Sequence, residues 1–207
     1  VPTTLNLGGL EIPGTLSIKR DAVTIQSGSV GKIIVTDESD RSLTLADVKV
    51  ADLIVESGYY RDFILQLKNS AANRVQIERD DVLLKSDKKL PRVLLGDGAY
   101  SINLETAVDL MEVTKGGYVN LKGLISIDRL LAAEEAYVIV SSPGYIKVAE
   151  ILARNGYISF GRNMRIGHVI IPPHSNNYES YLNHYGDIKE AVGKVTLPGS
   201  NQNLFHD

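Results

Sequence analysis

The chain has 207 residues, 43% of them hydrophobic and 23% charged. That apolar content excludes a disordered tail, and the absence of Cys excludes a disulfide scaffold. No apolar run approaches the ~20 residues with which a helix spans a bilayer. A net charge of −3 with scattered Lys and Arg is the wrong field for nucleic acid, which recruits clustered cations. Neither a direct nucleic-acid partner nor a membrane partner is expected.

Taken in chain order, most segments read as short strands. The N-terminal stretch VPTTLNLGGLEIPG holds two turn signals, Gly8–Gly9 and Pro13–Gly14, and lacks the basic and apolar regions of a signal peptide. Strands are expected over 31–36, 63–68, 74–78, 81–84 and 92–95, then over 118–121, 136–140, 145–152 and 165–171. These runs are short, β-branched or apolar, and separated by Asp80–Asp81, Gly96–Asp97–Gly98, Gly116–Gly117 and Pro143–Gly144. Short strands about ten residues apart predict a sandwich, jelly roll or barrel.

Three segments read as helices. Residues 43–56 carry Leu45, Val48 and Val55 near helical spacing, with Thr44 and Asp47 at a capping-box distance. Ser126 can cap a helix over 127–136, IDRLLAAEEA, built of strong helix formers. Over 178–192, Tyr178, Tyr181, Leu182, Tyr185, Ile188 and Val192 fall on one helical stripe. The fold class expected is therefore mainly β, jelly-roll or β-sandwich-like, with two or three short helices. No internal repeat stands out. Gly96–Asp97–Gly98 divides the chain into a strand-rich N-terminal half, 1–96, and a jelly-roll-like C-terminal core with a C-terminal helix, 97–207.

Candidate chemistry is sparse. His168, His174, His184 and His206 lie six, ten and 22 residues apart, too far for one local element to aim two nitrogens at one ion, so no metal site is expected. The acid pairs Asp80–Asp81 and Glu134–Glu135 diverge on any strand or helix and read as solvated. The run Lys85–Arg92, KSDKKLPR, reads as a solvated turn because Asp87 and Pro91 interrupt it. No nucleophile elbow or phosphate-binding glycine loop occurs. The Tyr178, Tyr181 and Tyr185 stripe is the candidate interface, and it is also the candidate stacking surface of a glycan- or ligand-binding module.

Residues 98–171 resemble the core of the trimeric dUTP diphosphatase and dCTP deaminase superfamily. The likeness rests on Val138-Ile-Val-Ser-Ser-Pro-Gly-Tyr145, Ile146-Lys-Val148 and Met164-Arg-Ile-Gly-His-Val-Ile170. It implies a jelly-roll-like, trimeric β fold. As an enzyme, such a chain would use Glu150 for acid–base work, Tyr145 to stack a base, Arg129 on phosphate, and Mg²⁺. The departures are larger than the matches. The family's Gly-Arg-Ser loop is replaced by Ile125-Ser-Ile-Asp-Arg-Leu-Leu131, where Asp128 sets a negative charge against phosphate. Ser142 stands where an acid is expected before Pro143–Gly144. With the catalytic groups missing, the expected function is that of a non-catalytic, self-associating structural or assembly protein with no cofactor. A capsid, decoration or tail protein of a phage-type virion is an example. Its partners would be copies of itself, as in a homotrimer, and other assembly proteins. Its location would be a virion or the cytoplasm. The alternatives are the divergent nucleotide hydrolase or deaminase, which alone calls for Mg²⁺, and the glycan-binding module.

Overall fold

The structure is a computed structural model that describes residues 2–36, 39, 41–58, 62–153, 155–161, 163–171 and 195–196. Its strands are β1 (Thr3–Asn6), β2 (Glu11–Ile18), β3 (Val23–Val35), β4 (Ser42–Val55), β5 (Phe63–Lys68) and β6 (Ala71–Ile77). There follow β7 (Val82–Ser86), β8 (Leu90–Leu95), β9 (Ser101–Glu105), β10 (Val108–Val113), β11 (Tyr118–Gly123) and β12 (Ile125–Ala132). The last are β13 (Tyr137–Val140), β14 (Gly144–Ile151), β15 (Tyr157–Phe160), β16 (Met164–Ile170) and β17 (Val195–Thr196). No helix occurs among the described residues.

Every pairing is parallel and joins a strand to the one a full coil away. Thus β5, β7, β9, β11, β13 and β15 stack in one column. In the other column stand β4, β6, β8, β10, β12, β14 and β16. The chain winds as a β-solenoid, two strands to a coil. Val23 pairs Leu43, Val108 pairs Ile127 and Tyr137 pairs Tyr157, offsets of 20, 19 and 20 residues. The jelly-roll or sandwich expectation is thereby corrected, because those folds need antiparallel neighbours. Short strands at ten-residue spacing are what a two-strand coil of about 20 residues also produces. The Gly96–Asp97–Gly98 turn is one corner of the winding, and pairing continues across it from β7 to β9 and from β8 to β10.

Two of the expected helices are strands. Within β4 the buried residues are Leu43, Leu45, Val48, Val50, Leu53 and Val55. They alternate with period two, and the phase slips by one between Val50 and Leu53 as well as at Asp47, where φ is +57°. Each slip converts a two-residue step into a three-residue step and imitates helical spacing. In β12 the buried Ile125, Ile127, Leu130 and Ala132 carry one such three-residue step, from Ile127 to Leu130. The stripe Tyr178, Tyr181 and Tyr185 lies outside the described residues.

The left-handed corner explains why β3 and β4 are long. Ser27, Asp47 and Asn69 all have positive φ and occupy one corner in successive coils. The first two turn the strand without ending it; Asn69 separates β5 from β6. Short polar side chains tolerate this conformation because they hydrogen-bond locally. Asn69 Nδ2 donates to Asp47 Oδ1 at 2.5 Å, and Asp87 Oδ2 accepts from the Asn69 amide at 2.6 Å.

The opposite corner repeats a tight turn. Ala99, Gly117, Ala136 and Gly156 donate their amides to the carbonyls of Gly96, Thr114, Ala133 and Ala153 at 3.0–3.3 Å. Nearer the N-terminus this corner is locked by Arg79, which is 1% exposed. Its guanidinium lies 4.9 Å from the Phe63 ring centre and donates to the Ser39 carbonyl at 2.5 Å. Between the columns lies a core of aliphatic residues with Phe63, Phe160, Met111 and Met164, one inward set per strand.

Candidate functional site

The residues singled out for catalysis do not converge. Arg129 on β12 and Glu150 on β14 pair with each other on the outer face, so each neutralises the other. Tyr145 is 48% exposed at the start of β14, five residues from Glu150 and about 16 Å along the strand. Asp128 faces Lys89, not a phosphate cradle. Lys89 Nζ bonds Asp109 at 2.5 Å and Asp128 at 2.7 Å. The hydrogen bond that Lys89 donates to Asp109, then the one it donates to Asp128, holds its ammonium above the ordinary lysine range, and Lys89 holds the Asp128 carboxyl below the carboxylate range.

The acid pairs sit in corners, not on a strand or helix. The backbone amide of Asp81 (φ +49°) donates to Asp80 Oδ1 at 2.8 Å, and Glu134 binds Lys115 at 2.7 Å beside Glu135 (φ +59°). His168 lies on β16 next to Val148 of β14, and the other three His fall outside the described residues. Among the described residues no group of three His, Asp or Glu comes together that could hold a metal ion.

The outer faces of the two columns differ in chemistry. On the β8–β16 column, Arg92, Leu110, Arg129 and Val148 succeed one another in register. The next row reads Leu94, Glu112, Leu131, Glu150 and Ile170. Charge and hydrocarbon therefore alternate from coil to coil. Each Arg pairs diagonally with the Glu of the following coil, Arg92 with Glu112 at 2.8 Å and Arg129 with Glu150.

The β9–β15 column is nearly neutral. Tyr118, Tyr137 and Tyr157 align in register and stack, with ring centres 5.2 and 4.5 Å apart and interplanar angles of 6° and 18°. Beside this ladder runs a row of Ser101, Asn120, Ile139 and Ser159. Asn103, Lys122 and Ser141 lie beyond it, with Lys122 Nζ bonded to Ser101 Oγ at 3.0 Å and Ser141 Oγ donating to Asn120 Oδ1. Toward the N-terminus the face deepens into an open depression of about 300 Å³ that includes Ile64, Asp81, Leu83 and Asn103. Burial first, and then the neighbouring Tyr137 phenol, push the Tyr157 hydroxyl up to about 12.

Sequence reasoning missed this ladder. Its signal was the corner sequence GDGAY, TKGGY, AEEAY and ARNGY, ending at Tyr100, Tyr118, Tyr137 and Tyr157. A tyrosine every 18–20 residues, each preceded by Gly or Ala, marks one turn of the winding.

A third surface is the N-terminal end. β1 and β2 each pair with β3 on one side only, and among the described residues no strand pairs with their outer edges. Leu5 and Leu10 are 39% and 65% exposed there. Pro13 and a register shift between Ile12 and Thr15 interrupt the β2 edge. The β1 edge, Thr-Thr-Leu-Asn, has no charge and no proline. No helix among the described residues is long and apolar enough to cross a membrane. No family model, curated protein or solved structure matches the chain.

Proposed function

We propose that the chain is a non-catalytic structural protein that associates with copies of itself. The observation that supports this most is the uncharged outer edge of β1, bordered by the exposed Leu5 and Leu10. An open parallel edge offers a row of backbone donors and acceptors to any strand that meets it. Solenoids remain separate only when their terminal coils are capped by polar surface. The net charge is only −3 and ion pairs such as Arg74–Asp52 and Arg92–Glu112 lie along the coils, so little long-range repulsion opposes association.

Sedimentation velocity over a wide concentration range tests this reading. The natural chain is expected to form dimers or longer species. The double variant Thr4→Lys, Leu10→Lys sets two charges on the exposed end and is expected to sediment as a monomer with an unchanged circular dichroism spectrum. A natural chain that stays monomeric at the highest concentration, or a variant that associates equally well, overturns it.

A further inference from the structure

We propose that the outer face of the β9–β15 column binds an extended, neutral glycan chain, independently of the self-association at the N-terminal end. Three observations carry this. The first is chemical. The face combines a tyrosine ladder with rows of Ser and Asn, whose hydroxyls and amides both donate and accept. Sugar hydroxyls do the same, and phenol rings present an apolar body with a polar tip to match the mixed surface of a sugar ring. Lys122, bonded to Ser101, is the single cation on these four strands, and the neighbouring Lys85 is paired with Glu105, so an anionic polymer finds little to bind.

The second observation is the contrast between the faces. The β8–β16 column uses the same backbone and nearly the same coil length but carries Arg–Glu pairs on every second coil. Neutral polarity is therefore a property of one face only. The third is size. Four strands about 4.8 Å apart, each four to six residues long, make a strip of roughly 20 by 15 Å, about 300 Å². A stable protein interface takes about 800 Å² from each partner. The strip is too small for a second protein chain and has the length and width for one extended polymer strand. Along it the phenol tips recur at the coil spacing, so equivalent contacts are offered in series to a ligand with repeating units.

The test is affinity electrophoresis of the full chain through gels holding one soluble neutral polysaccharide each: a β-glucan, an α-mannan and a galactan. Dextran sulfate serves as an anionic comparison. Retardation by at least one neutral polymer is expected. The double variant Tyr118→Ala, Tyr137→Ala should weaken it by roughly tenfold, as two aromatic contacts require. Arg92→Ala, on the opposite face, should leave it unchanged, and Thr4→Lys, at the terminal edge, should as well. Circular dichroism checks folding, and Tyr137→Phe gives a second variant that keeps the ring and removes one hydroxyl. If no neutral polymer retards the chain, the proposal is wrong. It is also overturned if the Tyr variants bind as tightly as the natural chain, or if only dextran sulfate binds.

Discussion

Single residues in this solenoid are constrained most where two coils come together. At Gly144 a β-carbon would sit 2.2 Å from the Ile125 carbonyl oxygen of the preceding coil and 2.5 Å from its Cβ. Backbone cannot move away without disturbing the β12–β14 pairing. Gly144→Ala is expected to cost about 2 kcal/mol, seen as a lower urea midpoint at constant m-value. Gly14 on β2 has nothing within 4 Å of its β-carbon position and no positive φ. Gly14→Ala is expected to change stability by less than about 0.5 kcal/mol. Tyr157 supplies a titration at the same scale. Its hydroxyl is pushed up to about 12, whereas an unfolded phenol ionises near ~10. Folding favours the neutral form, so this contribution is complete below pH ~10 and is lost as the pH rises toward 12. Phenolate absorbance should show one late-titrating tyrosine, and Tyr157→Phe should remove that transition and flatten the alkaline loss of stability.

Strands were legible in the sequence and their arrangement was not. The inward positions of β5, Phe63, Leu65 and Leu67, alternate as a half-buried strand must, and so do those of β9, β11, β13 and β15. Inward positions need only be apolar, and outward ones are free to vary. Successive coils thus share no letters that betray a repeat, except the corner tyrosines. The bent strand β4 carries helical spacing because its phase shifts at Asp47 and again between Val50 and Leu53. Arg129 and Glu150 were recognisable as charged, but only the 21-residue offset that brings them together reveals that they pair. Elements so arranged should be removable in units. Deleting residues 115–133 joins Thr114 to Glu134, and because the β10–β12 register makes Thr114 equivalent to Ala133, one whole coil is removed in phase. The shortened chain is expected to fold, with an unchanged β spectrum per residue and an m-value lower by about a tenth. Deleting the half coil 115–124 removes β11 and the corner before it and reverses which column each later strand enters. That chain is expected to lose cooperative unfolding in urea.

Across the whole molecule, contacts run between neighbouring coils, so stability accumulates along the axis and ends matter more than in a closed globule. The two outer columns divide the surface into a self-neutralised charged side and a neutral side. The first is a stability device of modest size, since exposed ion pairs contribute about 0–1 kcal/mol each and are screened by salt. The alternation of Arg–Glu pairs with aliphatic residues has a further consequence, one of parity. Over β8–β16 this face repeats every two coils while the backbone repeats every one. Losing a single coil, as in the 115–133 deletion, brings Glu112 beside Glu150; losing two sets Glu112 beside Ile170 and leaves no like charges in contact. A rod patterned in this way can be shortened or extended at low electrostatic cost only in even steps, so its surface counts coils in pairs even though its core does not.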